Sequence, residues 1–112
     1  MKLPVAFRNE AMRDLVDAFE WYESERAGLG DEFLTAVASA IRTIRRTPGR
    51  FRILDRRTRR ALVKRFPYLL LFVVEDRSIL VTAVFHLKRN PHRWSDRVRE
   101  RVVALEPMEA FA

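Results

Sequence analysis

The sequence contains no cysteine, which excludes a disulfide framework, a thiolate metal site and a cysteine nucleophile. Histidine is nearly as scarce: His86 and His92 are the only two, too few for a histidine metal cage unless carboxylates join them. No apolar run is long enough to cross a membrane, since the longest, Tyr68 to Val74, has seven residues against the roughly 20 a spanning helix needs. Met1 to Phe7 lack the basic-then-apolar order of a signal peptide. Together with the missing cysteine, this predicts a protein of the reducing cytosol. Internal repeats, low-complexity stretches and interdomain linkers are also lacking, so residues 1–112 read as one domain with 106–112 as a loose tail.

What is present suits a small globular fold. The chain has 112 residues, 48% hydrophobic and 33% charged, a balance that separates it from disordered sequences. At this length folding buries roughly two-thirds of the unfolded surface, enough for a core without staples. The formal charge is +7, which implies an acidic partner. That charge is unevenly placed. Residues 1–44 hold five basic and eight acidic residues, a net of −3, and residues 66–112 hold seven and six, a net of +1. Residues 45–65 hold ten basic residues against Asp55 alone, a net of +9. A surface built only for solubility mixes the signs. Arg52, Arg56, Arg57, Arg59, Arg60, Lys64 and Arg65 are therefore expected to form a basic patch for an acidic protein segment or a phosphate backbone. The plainer alternative is that they line exposed strand faces and a loop.

The periodicity gives a coarse layout. Leu3 to Phe7 reads as a short strand. Asn9 is suited to cap a helix along which Met12, Leu15, Val16, Phe19 and Tyr22 follow helical spacing. Gly28-Leu29-Gly30 ends that helix. Asp31 is suited to cap a second one, with Phe33, Leu34, Val37, Ile41 and Ile44 inward and Pro48-Gly49 at its close. So short a join makes an antiparallel helical hairpin. Strands are then expected at Phe51–Leu54 and Arg60–Phe66, around an arginine-rich turn. Tyr68–Val74 has the continuous apolar character of a central strand, and Ser78–Phe85 is the next. Asn90-Pro91 suits the start of a short last helix with Trp94, Val98, Val102 and Leu105 on one stripe. The class is α+β, a helical hairpin packed on a mostly antiparallel sheet with a short C-terminal helix.

Within this layout the pieces Ala11-Met12-Arg13-Asp14-Leu15, Phe19-Glu20-Trp21-Tyr22-Glu23 and Gly28-Leu29-Gly30-Asp31-Glu32-Phe33 are followed by Arg65-Phe66-Pro67-Tyr68, Phe72-Val73-Val74-Glu75, Ile79 to His86 and Arg89-Asn90-Pro91. In this order they resemble the RelE/ParE family of bacterial type II toxin–antitoxin toxins, over roughly residues 3–94. The resemblance implies the same hairpin-on-sheet fold, a cytoplasmic protein, and a cognate acidic antitoxin bound in a heteromeric complex. RelE-like members cleave messenger RNA on the ribosome, and ParE-like members poison DNA gyrase without a known catalytic set.

The two branches ask different things of the residues. Metal-free RNA cleavage needs basic side chains to activate a 2′-hydroxyl and to stabilise the charged transition state. The RelE-like pattern puts an arginine straight after the aromatic residue that opens the central strand. In this chain Leu69 follows Tyr68 and carries no charge. Arg89 matches a second arginine of that pattern, and Lys64 and Arg65 lie near its lysines, with His86 as a further acid–base candidate. No tyrosine follows Tyr68, and Trp94 stands in its neighbourhood; an indole has no useful acid–base chemistry at neutral pH. The ParE-like branch is therefore favoured, with no metal or cofactor. A ribosome-dependent endoribonuclease and a non-toxic binding or autoregulatory module are the alternatives.

Individual residues carry expectations of their own. Lys88, Arg89, Arg93 and Trp94 are candidate contacts to target or antitoxin. His86 is expected to bond a strand-end carbonyl, and His92 to lie exposed in the last helix's first turn. Trp21 and Tyr22 are read as packing residues, Tyr68 as half-buried with its hydroxyl in solvent, and Glu20, Glu23 and Glu25 as a solvated helix face.

Overall fold

The structure, a computed structural model, describes residues 3–88. The expected C-terminal helix and tail, together with Arg89, His92, Arg93 and Trp94, lie outside the described residues. Within them the chain runs β1 (Val5–Phe7), α1 (Asn9–Glu25), α2 (Leu29–Arg46), a 3₁₀ turn (Pro48–Arg50), β2 (Ile53–Asp55), β3 (Thr58–Val63), β4 (Tyr68–Glu75) and β5 (Ser78–His86). Two helices pack on one five-stranded mixed sheet in the order β1-β5-β4-β3-β2, as the α+β reading requires. β2 to β5 form an antiparallel meander, and β1 joins β5 in parallel.

β4 is central, and its first six residues are all buried. Tyr68, Leu70 and Phe72 face the helical hairpin along with Ile79, Val81 and Val84 of β5. Leu69 and Leu71 form a second cluster with Ala83 and Phe85 on the other face, against which Leu54 packs. β5 keeps its apolar residues on the right faces by a bulge. Leu71 pairs with Ala83 and Phe72 with Val81, so Thr82 is the extra residue, and its hydroxyl donates to the Leu71 carbonyl at 3.3 Å. Such an insertion shifts the two-residue alternation by one.

Helix α1 sits one notch round from the expected wheel. Ala11, Ala18 and Tyr22 are its buried residues, while Met12 and Val16 are 44% and 45% exposed and Trp21 is 41% exposed. Small side chains let a helix approach the sheet closely, and the approach is fixed by Asp14, whose carboxylate accepts the backbone N–H of Val84 in β5 at 3.1 Å. Asn9 is not the cap. Arg8 holds that position with an extended backbone, because its N–H donates to Val81 O at 3.0 Å and the chain turns directly from strand pairing into helix.

The hairpin join departs further from expectation. Asp31 does not cap α2; the helix begins at Leu29, with Gly28 as the flanking residue. Glu23 does the capping from across the turn. Its Oε2 accepts from Gly28 N–H and its Oε1 from Gly30 N–H, each at 2.9 Å, so one carboxylate satisfies two otherwise orphaned donors and sits where the helix dipole favours negative charge. Glu23 therefore does not belong to the solvated face. Gly28 has φ +89°, and a Cβ on Gly30 would stand 2.7 Å from the Phe19 ring.

Two strand boundaries also move. β3 starts at Thr58, because Thr58 pairs with Val73 and Arg59 with Phe72 of the long β4. Phe51 lies outside β2, its ring edge-on to Phe72 at 5.6 Å.

Glu23→Ala should lower the unfolding free energy by about 2–3 kcal/mol, the scale of a lost cap plus charge-assisted hydrogen bonds. Glu20→Ala on the exposed face is the control and should change it by less than about 0.5 kcal/mol. Equal effects in chemical denaturation would show that the bidentate cap does not hold the hairpin.

Candidate functional site

Three features stand where the sequence placed functional residues: an aromatic end of the sheet, a groove beside α2, and the arginine-rich β2–β3 hairpin.

At the aromatic end, Tyr22, Phe33, Phe66 and Tyr68 pack together, with neighbouring ring centroids 4.9 to 5.9 Å apart. Tyr68 is 3% exposed, so it is a core residue and not the half-buried one expected. The helical hairpin supplies Tyr22 and Phe33, and their rings close over the strand. The His86 ring stands edge-on to Tyr68 at 5.1 Å. Its Nδ1 accepts the Lys88 backbone N–H at 3.0 Å, where the chain turns back after β5. Lys88 is exposed. Leu69, in the slot where the nuclease pattern calls for arginine, is 2% exposed and packed in the second cluster.

A helical hairpin on a curved sheet is expected to leave an apolar groove with a basic rim at its edge, and the structure places that groove beside α2. It has a volume of 610 Å³ and runs between the outer flank of α2 and β3, with Ala36, Ala40, Phe51, Ala61 and Leu62 as its apolar lining and both basic (Arg42, Lys64, Arg65) and acidic (Asp31, Glu32) residues around them. It exists because β2 pairs only with Thr58 and Arg59, with one further bond from Arg60 N–H to Arg52 O at 3.0 Å. Among the described residues no strand lies against the outer edge of β3 from Ala61 to Val63, and Leu62 is 55% exposed. Ala36 and Ala40, four apart on a helix otherwise polar on that flank, are the sequence signal for such a channel.

The basic residues divide by what they touch. Arg59 donates to Phe51 O at 2.7 Å and to Gly49 O at 3.4 Å, holding the 3₁₀ turn against β3. Arg45 donates through Nε to Leu3 O at 2.8 Å. Arg65 bonds Glu32 at 3.0 Å and lies 5.7 Å from the Phe66 ring centroid, an ion pair and a cation–π contact from a backbone with φ +75°. Arg26 bonds the other Glu32 oxygen at 3.1 Å. Hydrogen bonds from Arg65 and then Arg26 hold the Glu32 carboxyl below the usual carboxylate range. Lys64, Arg52, Arg56 and Arg57 are exposed and Arg60 half-buried. Lys64 and Arg65 stand at the groove, whereas neither Arg52 nor Arg60 lines it. Among the described residues no three metal-ligating side chains gather, and no helix is long and apolar enough to cross a membrane.

The model of the ParE toxin of the type II toxin–antitoxin system parDE matches residues 5–91, which include every element described above. The chain belongs to the ParE toxin family. A solved structure titled as a chromosomal ParDE system from P. aeruginosa is similar in fold, with a TM-score of 0.67 over 76% of this chain and 96% of that one at 11% identity. No curated protein sequence matches significantly. The RelE/ParE resemblance read from the sequence thus resolves to its ParE side.

Glu32 links α2 to both Arg26 and Arg65, and its depressed pKa fixes the sign of a pH effect. The pair's contribution is present above the ordinary carboxylate range and is lost as pH falls through the lowered folded value. Melting temperatures of wild type and Glu32→Gln should differ modestly at neutral pH and converge in acid. A difference that grows on acidification would refute this assignment.

Proposed function

We propose that this ParE-family protein is a toxin that inhibits DNA gyrase by binding rather than by catalysis, and that a cognate antitoxin neutralises it by docking in the groove beside α2. The observation that carries the non-catalytic reading is buried Leu69. Phosphoryl-transfer chemistry on RNA without metal needs a cation at the reacting phosphate, and an arginine in that slot would have to be buried in an apolar cluster at a cost of several kcal/mol. Arg65, the other strand-end cation nearby, is committed to Glu32. Family membership supports the gyrase target.

The groove suits an antitoxin segment on three counts. Its floor is apolar, and Arg42, Lys64 and Arg65 line it against Asp31 and Glu32, an excess of one positive charge that suits an amphipathic chain bearing acidic groups. The outer edge of β3 beside it offers unpaired backbone groups to an extended segment. An otherwise disordered acidic chain pays the entropy of ordering on such a surface but can follow a long groove and an open strand edge together.

Gyrase supercoiling of plasmid, with trapping of cleaved DNA, tests the target. Purified protein should block supercoiling or trap breaks. Unaffected gyrase together with cleaved messages in growth-arrested cells would instead establish the ribosome-dependent nuclease, and an absence of growth arrest the non-toxic module. Ala36→Glu and Leu62→Asp should each weaken antitoxin binding at least about tenfold, or 1.4 kcal/mol, while leaving gyrase inhibition intact. Unchanged affinity would place the antitoxin elsewhere.

A further inference from the structure

The β2–β3 hairpin breaks local rules in favour of arginine. Ile53 pairs with Arg59 and Arg60 N–H bonds Arg52 O, so Arg52 and Arg60 stand directly opposite each other across the two strands. Opposed residues share a face, with Cα atoms about 4.5–5.5 Å apart, and like charges there repel. Arg60 also pairs with Leu71, which places the two guanidinium groups on the face of the second cluster, and neither arginine lines the groove. Neither forms an ion pair within the described residues. At the hairpin tip the turn between Asp55 and Thr58 is Arg56-Arg57, and Arg56 has φ +49°. Glycine, asparagine or aspartate is the usual choice for that conformation.

A fold that accepts the repulsion of an opposed arginine pair marks a site kept for something other than stability. We propose that this hairpin face is a phosphate-binding surface for the backbone of duplex nucleic acid, with the Arg52–Arg60 pair at its centre. Two planar forks side by side are suited to bidentate grip on adjacent phosphate oxygens, which lysine does not supply. From the pair to the tip is about four residues, or roughly 13 Å of strand, a length over which one strand of a duplex presents about four phosphates. The hairpin reads backbone and not bases: among the described residues Phe85 of the second cluster is buried and Phe51 is packed edge-on against Phe72, so neither offers a stacking platform to an unpaired base. An acidic polypeptide is the weaker fit, because neither arginine lines the apolar groove that would take such a chain's apolar side chains. The inference goes beyond the gyrase reading and does not rest on it.

The test is fluorescence anisotropy of a labelled duplex of about 20 base pairs and arbitrary sequence, titrated with the full chain from about 50 to 200 mM salt. Arg52→Gln with Arg60→Gln should reduce the slope of log affinity against log salt by about 1.8, since each lost phosphate contact removes about 0.9. Arg13→Gln with Arg77→Gln removes the same charge from exposed sites elsewhere and should leave the slope in place. The Arg52/Arg60 double variant should melt at the same or a higher temperature, because a repulsion has been relieved. Equal slopes in the two double variants would reduce the surface to diffuse charge and overturn the proposal. So would a lowered melting temperature in the Arg52/Arg60 variant, which would make the pair structural. Loss of polyglutamate binding with duplex binding retained would also overturn it, by making this a protein-binding face.

Discussion

A strand whose consecutive side chains are all buried must be covered on both faces and paired on both edges. β4 imposes that condition from Tyr68 to Val73, and most of the architecture answers it. β3 and β5 take the two edges. The helical hairpin covers Tyr68, Leu70 and Phe72, while Leu69 and Leu71 are enclosed with Ala83, Phe85 and Leu54. The Thr82 bulge follows from the same demand, since without it Val84 would face away from the hairpin and Ala83 toward it. The functional consequence reaches the chemistry. The position after Tyr68 lies inside a sealed apolar layer, so the electrostatics that metal-free RNA cleavage requires have no place to stand there.

The parts of this fold that could be read from the sequence are those written in periodicity. The 3.6-residue spacing in α2, the unbroken apolar run of β4 and the glycine-marked join specify a hairpin on a sheet, because each follows from neighbours along the chain. What escaped the reading depends on contacts across turns or between elements. Glu23 caps Gly28 and Gly30 from five and seven residues away, where capping rules look to the residue next to the helix start. Asp14 holds Val84 across 70 residues of sequence, and that contact, with the closely packed alanines, turns α1 so that Met12 and Val16 face outward. Among the candidate site residues, exposure was legible for Lys64 and Lys88 but not for Tyr68. A groove at the edge of the hairpin was legible, but its position was not: it is the space left where β2 stops pairing, and no residue type announces an early end to a ladder.

Arginine in this chain does two kinds of work that composition alone cannot separate. Arg45 and Arg59 satisfy backbone carbonyls, and Arg65 meets a carboxylate. A carbonyl fixes the direction of a guanidinium but leaves its charge intact, so of these three only Arg65 is neutralised. The positive field of residues 45–65 therefore survives most of the structural bonding within it. Screening confines that field to about 8–10 Å at physiological salt, which makes its effect local to the hairpin and the groove rim. On the groove side the charge borders an apolar channel and, among the described residues, an open strand edge, the kind of surface to which extended polypeptides add. On the other face it is concentrated in an opposed pair that makes no ion pair within the described residues. The two surfaces carry the same sign but differ in shape and in apolar content, and shape decides which class of anion each can hold.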